Sequence, residues 1–308
     1  MTKIYLSVII LLAAVINAKA QGCSDAGVCT IHSIKNNTIK QGEKEDKRNE
    51  GVVGFNFGKG EKSVSYCTTE IEYTRSVLKH TSVTGKIGYS FISGELANTN
   101  GFGDLFLSAN HEFDTKKNWR KSFVVGLKIP FDEANIIKNG IHLPMPYQTS
   151  LGTTDLVLGI NFMHKSFGAT IAVQQPLKPI NGNSFLPGDY QDNSLANKYL
   201  PTNEFSRKGD ILLRLSYNFD INKKFSVRPS FLSIYHEGND TYLDANKVRK
   251  AIANSNGITI NGNIFFDYEV NKTSEFEVSF GTPFAVRTKR PDGLTRSFVA
   301  ALNYGFKF

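Results

Sequence analysis

From Gly51 to the last residue, one pattern repeats: segments of 8–15 residues in which apolar and polar side chains alternate, separated by turn residues. A period of two sends successive side chains to opposite faces, so each segment predicts a strand with one apolar face. In Ile211–Phe219 the odd positions are Ile211, Leu213, Leu215, Tyr217 and Phe219, and the even ones Leu212, Arg214, Ser216 and Asn218. The stretches 258–270 and 298–308 repeat the arrangement. Twelve strands follow, near 51–58, 63–78, 81–93, 103–113, 120–129, 153–165, 167–178, 209–220, 225–236, 257–270, 274–287 and 296–308. In the first two the alternation slips near Tyr66-Cys67.

The connections add a second constraint. Short turns at 79–80, 114–118, 165–166, 221–224 and 271–273 alternate with longer loops at 94–102, 130–152, 179–208, 237–256 and 288–295; only the first hairpin, 59–62, departs from the rule. That two-ended pattern predicts an all-β fold, a transmembrane up-and-down antiparallel β-barrel of about 12 strands, with short periplasmic turns and long extracellular loops. An even strand number places both strand termini at the short-turn end. A soluble β-sandwich would share the alternation but not the two unlike ends. Composition then makes sense: 23 Phe and 12 Tyr stand beside one Trp, in a chain whose mean hydropathy is −0.25. One face of every strand meets lipid, and the other lines the interior.

Residues 1–20 read as a secretory signal peptide, with a basic start at Lys3, an apolar run from Ile4 to Ile16 and the small-residue ending Ala18-Lys19-Ala20. The run is too short for a spanning helix, and Cys23 lacks the upstream leucine of a lipoprotein signal. Removing Lys3 and Lys19 lowers the formal charge from +8 to +6. Residues 21–50 form a predicted solvated arm. Cys23 and Cys29 would close a small disulfide ring in an oxidising compartment, leaving Cys67 over; Cys23, Cys29 and His32 have no recognised zinc spacing. Residues 51–308 make the barrel, in the outer membrane of a Gram-negative cell.

In a membrane barrel the apolar face turns outward. Phe113, Phe123, Phe162, Phe219, Phe225, Phe276, Tyr217 and Tyr304 fall on that face, many near strand ends, where aromatic girdles sit. The inner face receives Glu70, Glu72, Lys86, Glu112, Lys128, Arg214, Arg228, Asp267, Glu269, Glu275, Glu277 and Lys307. Buried charges need partners, so an interior with both signs predicts ion pairs across the lumen. Around the Asn271 turn, Asp267, Glu269, Glu275 and Glu277 lie within reach of Arg228 and Lys307, either as a salt-bridge floor or as a cation-attracting vestibule.

Three stretches carry a family resemblance: Gly101-Phe-Gly-Asp-Leu-Phe-Leu-Ser108, Phe123-Val-Val-Gly-Leu-Lys-Ile-Pro130 and Ser150-Leu-Gly-Thr-Thr-Asp-Leu-Val-Leu-Gly159. In order and spacing they resemble the bacterial outer-membrane, transporter-like family named for the meta-pathway of phenol degradation. The resemblance covers about 100–165. It implies an outer-membrane pore or transporter for small, often hydrophobic, compounds, and its motifs are architectural. The chain's last residues, Tyr304-Gly-Phe-Lys-Phe308, resemble the C-terminal signal read by the barrel-assembly machinery.

Enzymatic activity is not expected. Two His-x-Ser triplets, His80-Thr-Ser82 and His164-Lys-Ser166, sit at short turns, and no Gly-x-Ser-x-Gly, His-Glu-x-x-His or P-loop pattern occurs. No cofactor or metal is implied, and export argues against a nucleic-acid partner. The expected partners are outer-membrane lipid, lipopolysaccharide and a small-molecule solute. Residues 240–257 have a helical start and stop, predicting a short helix that is either a lid over the mouth or a solvated loop helix, and the basic residues Arg287, Lys289, Arg290 and Arg296 would face lipopolysaccharide. Two functions fit: a pore or transporter, or a non-conducting barrel that binds a partner through its loops and N-terminal arm.

Overall fold

A computed structural model of the chain describes residues 49–113, 119–190, 195–293 and 296–308. Twelve strands build the wall. They are β1 (Asn49–Gly60), β2 (Ser65–Leu78), β3 (Thr81–Ser93), β4 (Asn98–Phe102 and Leu105–Phe113), β5 (Trp119–Ile129) and β6 (Thr154–His164) in the first half. The second half adds β7 (Phe167–Lys178), β8 (Asp210–Tyr217 and Phe219–Asp220), β9 (Phe225–His236), β10 (Gly257–Asn271), β11 (Ser274–Ala285) and β12 (Arg296–Lys307). Each strand pairs antiparallel with its neighbours in sequence, and β12 closes on β1 from Glu50↔Lys307 to Gly60↔Arg296. Closure leaves no sheet edge from the short-turn end up to Gly281↔Val299, the condition for placing strands in hydrocarbon. Among the described residues there is no α-helix, only 3-10 turns at Glu61–Ser63, Met145–Tyr147, Pro187–Asp189 and Ala196–Lys198.

Burial alternates as the sequence pattern demands. Along β5, Ser122, Val124, Gly126 and Lys128 are buried, while Lys121, Val125, Leu127 and Ile129 are exposed. Large apolar residues face outward on every strand. Aromatics gather towards the short-turn end: Phe276 meets Tyr304 at 4.9 Å, Tyr217 meets Phe219 at 4.7 Å, and Phe306 meets Phe308 at 5.7 Å. Towards the loop end, Tyr89, Phe91, Phe102 and Phe131 form a second group. Two aromatic belts bounding an apolar band are the exterior of a transmembrane barrel.

Three expectations need correction. The slip at Tyr66-Cys67 is no break in β2: Cys67 points out, and Tyr66 points in as a large aromatic among inward residues because its hydroxyl donates to the carbonyls of Pro146 (2.9 Å) and Gly293 (3.1 Å). Residues 240–257 hold no helix. They form a hairpin, Thr241–Leu243 with Arg249–Ala251, because Asp244 accepts from the amides of Asn246 and Val248 and Lys247 takes the left-handed region (φ 59°). That side-chain turn outcompetes a helix start. Arg287 does not face outward; it is buried in the ion network of the mouth, so the basic loop reading fails for that residue.

Candidate functional site: the lumen and its mouth

The inner wall is layered. Near the short-turn end Arg228 bonds Glu277 at 3.0 Å and Asp267 at 3.5 Å, while its guanidinium lies over the Phe265 ring at 4.5 Å. Asn303 donates to the other oxygen of Glu277 (2.9 Å). Glu70 pairs with Lys86 (2.8 Å) and Glu112 with Arg120 (2.7 Å). Of the residues expected around Asn271, the wall thus brings Asp267, Glu277 and Arg228 together. Glu269 and Glu275 face each other in register one rung below. The Lys307 amide donates to the Thr273 carbonyl. Arg214 is buried on the inner face of β8.

Above this layer the wall turns apolar. Val124, Val157, Ala172, Leu212, Leu232 and Ile234 form one buried cluster with Phe106 against it. The expectation of a polar lining is therefore corrected for this layer of β5 through β9 alone; above and below it the same strands hold Lys128, Asp155, Gln174, Arg214 and Arg228 inward. The sequence already placed Leu212 on the inner face, among polar even positions.

Higher still, two ionic clusters mark the loop end. Lys128, 1% exposed, pairs with Asp155 (2.7 Å) and Asp104 (3.5 Å) and donates to Thr153 (3.0 Å). Ser150 donates to Asp104, and Gln174 to Asp155. The three resemblance motifs thus converge on one lysine: Gly-x-Gly-Asp supplies Asp104, Leu-Lys-Ile-Pro supplies Lys128, and Leu-Gly-Thr-x-Asp supplies Asp155. Gly152 of the last motif has φ +67°, and a Cβ there would come within 2.8 Å of Glu133 and Asn181. Only glycine meets both demands.

The second cluster ties the long loops together. Arg207 pairs with Asp210, and its Nε lies 3.7 Å from Asp292. Arg287 pairs with Asp292, lies 3.5 Å from Asp240 and donates to the Ser255 carbonyl (2.8 Å). His236 places Nδ1 2.7 Å from Asp210 and Nε2 2.8 Å from Asp240. Burial alone would raise the Asp292 carboxyl, but the guanidiniums of Arg287 and Arg207 hold it below the ordinary carboxylate value. This keystone joins loop 179–209, the ends of β8 and β9, loop 237–256 and the β11–β12 loop. Sequence reading missed it, because Arg207, Asp240 and Asp292 lie in loops where alternation says nothing about direction.

Around the keystone the loops carry their own apolar cores. One gathers Val64, Tyr66, Ile92, Leu143, Tyr147, Phe185, Ala196 and Tyr199; the other gathers Ala134, Met145, Leu151, Phe205 and Ile252. Asn183 stitches them, donating to the Ala134 and Leu143 carbonyls and accepting from Thr202. At the rim, burial and then the nearby Lys198 ammonium lower Lys62 to about 8.

One seam of the barrel is split at this end. The β11–β12 ladder stops at Gly281↔Val299. Yet β11 keeps pairing with β10 up to Ala285, and β12 with β1 up to Arg296. Thr282–Ala285 and Arg296–Phe298 therefore have partners on their far sides but not across the seam. Pro283 has no N–H to offer there, and the chain beyond it dives inward to deliver Arg287 to the keystone. Phe280, Phe284 and Phe298 border the gap on the lipid side. At about 3.3 Å per residue, the three or four residues beyond the last rung run roughly 10–13 Å without ladder pairing across the seam.

Fold, belt and wall together define a transmembrane β-barrel of the outer membrane. No protein-family model and no curated protein matches the chain. Among solved structures it is similar to the KdgM porin in complex with disordered oligogalacturonate (6% identity, TM-score 0.46, 84% of this chain and 99% of that one). It is also similar to the CymD monoaromatic hydrocarbon channel (9%, TM-score 0.45, 94% of each chain). A third is the translocator domain of the autotransporter NalP from Neisseria meningitidis (9%, TM-score 0.47, 90% and 92%). Such distant likenesses bear on neither cargo nor mechanism.

No group of three or more His, Cys, Asp or Glu among the described residues could hold a metal ion. Cys67 is free and exposed on the outer face. Cys23 and Cys29 lie outside the described residues. His80 and His164 sit at the short turns; His164 packs edge-on against Trp119 at 4.4 Å.

Proposed function

We propose that this barrel is an outer-membrane transporter for small, largely apolar molecules, which enter through the loop-filled mouth and leave sideways into lipid through the split β11–β12 seam. The observation that carries the reading is the seam itself, bordered by Phe280, Phe284 and Phe298 and lying beside a mouth packed with apolar side chains. A water-filled pore for ions or sugars would call for a polar mouth; here Tyr147, Phe185, Phe205 and Met145 fill it. The cargo implied by the motif resemblance, small and often hydrophobic, agrees with this chemistry. A second reading, a non-conducting barrel that binds a partner through its loops, draws on the keystone, which holds those loops shut.

The next rung of the ladder would be Thr282 opposite Phe298. A Thr282→Cys, Phe298→Cys protein in a Cys67→Ser background can be stapled by oxidation, with the bond verified by mass spectrometry. Cells expressing the reduced form should take up the apolar dye N-phenylnaphthylamine faster than control cells. Oxidation should slow uptake several-fold, and reductant should restore it. Uptake equal to control cells would leave the binding-module reading standing, and uptake indifferent to the staple would refute lateral exit.

A further inference from the structure

Most polar side chains on the inner wall satisfy one another; Asn161, for example, donates to Ser122 and accepts from Thr170. Three neighbours on β9 and β10 do not. The Ser230 hydroxyl, both amide atoms of Asn261 and the Asn263 Nδ2 are buried with no hydrogen-bond partner among the described residues. Asn261 is 0% exposed and Ser230 7%. In register, Asn263 stands between Ser230 and Gly281, and Asn261 between Leu232 and Pro283. The orphaned atoms therefore share one patch of wall.

The wall on the β11 side withholds partners. Gly281 contributes no side chain, and a Cβ there would come within 2.6 Å of Asn263 Oδ1. Pro283 has neither an N–H nor a polar side chain, and Leu232 is apolar. The nearest charge on β9 and β10, Arg228, is committed to Glu277 and Asp267, and across the β8–β9 pairing Arg214 and Ser216 stand opposite Leu232 and Ser230. Unsatisfied buried polar groups are rare in native proteins, and each calls for an explanation in function or bound solvent. The location supplies one: Gly281 is the last rung of the β11–β12 ladder, so the patch lies at the foot of the split seam.

We infer that Ser230, Asn261 and Asn263 form a binding station for a neutral small molecule with an apolar body and a single hydroxyl. The ligand hydroxyl would donate to Asn261 Oδ1 and accept from the Asn261 or Asn263 amide, with Ser230 completing the set. Leu232, Pro283 and Phe265 would receive the apolar body. The inference rests on the passage of apolar molecules proposed above, and it adds a preference for a hydroxyl over its bare hydrocarbon counterpart.

Benzyl alcohol and toluene make a matched pair of probes. Their saturable binding to the folded full-length protein in detergent micelles can be followed by calorimetric titration against the same micelles alone. Wild type should bind benzyl alcohol about tenfold more tightly than toluene, the ratio expected of one or two neutral hydrogen bonds made in a buried site. Asn261→Leu should abolish that preference while leaving toluene binding in place. Heat-modifiable gel migration checks that the variant folds; Ser230→Ala, a smaller change, should reduce the preference a few-fold if Asn261→Leu does not fold. An equal preference in wild type and variants, or no saturable binding, would overturn the assignment and leave these polar atoms to water only. Binding without dye uptake would retain the station while refuting transport, so the two proposals fail separately.

Discussion

Lys128 shows what one inward residue does in this wall. Its ammonium is 1% exposed and faces Asp155 and Asp104, so the three charges are tolerable only together. Lys128→Met keeps the volume and removes the cation, stranding two buried carboxylates. Breaking such a set costs about 3–5 kcal/mol, and the heat-modification midpoint on gels should fall accordingly. Adding Asp155→Leu should recover much of the loss, since an apolar pair is tolerated where a lone charge is not. Lys128 was legible in the sequence because strand alternation fixed its face, and so were Glu112, Arg228, Asp267 and Glu277. Asp104 and Asp155 were visible only as motif letters. His236 was invisible as a site residue: it ends β9, and its meaning comes from Asp240, four residues into a loop, and from Asp210 on the neighbouring strand.

At the scale of elements, the strands were readable because a lipid-facing wall enforces a strict period of two, and an even closed barrel fixes which connections share an end. The loops were not, because their cores form between distant segments. Val248 and Ile252 look like one helical face in sequence, yet Val248 is exposed and Ile252 packs with Met145 and Phe205 across three loops. The β11–β12 loop illustrates the same point. Gly293 has φ +71°, and a Cβ there would come within 2.4 Å of the Pro146 nitrogen. Its carbonyl accepts from Tyr66. Gly293→Ala should therefore lift this loop off Met145–Pro146 without touching the barrel. Limited proteolysis of intact cells should cut the variant in the 286–293 region faster than wild type, while the gel shift of the folded barrel stays unchanged. Equal cleavage would mean that the contact does not hold the loop.

For the whole molecule, the question is what would bar ions from a barrel of twelve strands. Apolar side chains pack on the inner wall at mid-height, and the long loops meet at the keystone. Its membership is nearly balanced: Arg207 and Arg287 face Asp210, Asp240 and Asp292, and His236 sits between two of the acids. With carboxylates on both ring nitrogens, His236 completes the set best as a donor on each side. Arg287→Met removes one cation from a buried cluster with three acids, and the cheapest relief is for the loops to part and let water in. Wild type in a planar bilayer should pass little ionic current at neutral pH, and Arg287→Met should show frequent, large openings. The pH dependence has a definite sign. The Asp292 carboxyl is held below its ordinary value, so its contribution is complete above the ordinary carboxylate range near 3.8 and is lost as pH falls through the lower folded value. Wild-type currents should accordingly rise only in strong acid, below pH about 4, whereas the Arg287→Met variant should already be open at neutral pH. A variant as silent as wild type would place the barrier in the apolar layer around Val124 and Leu212 rather than in the keystone.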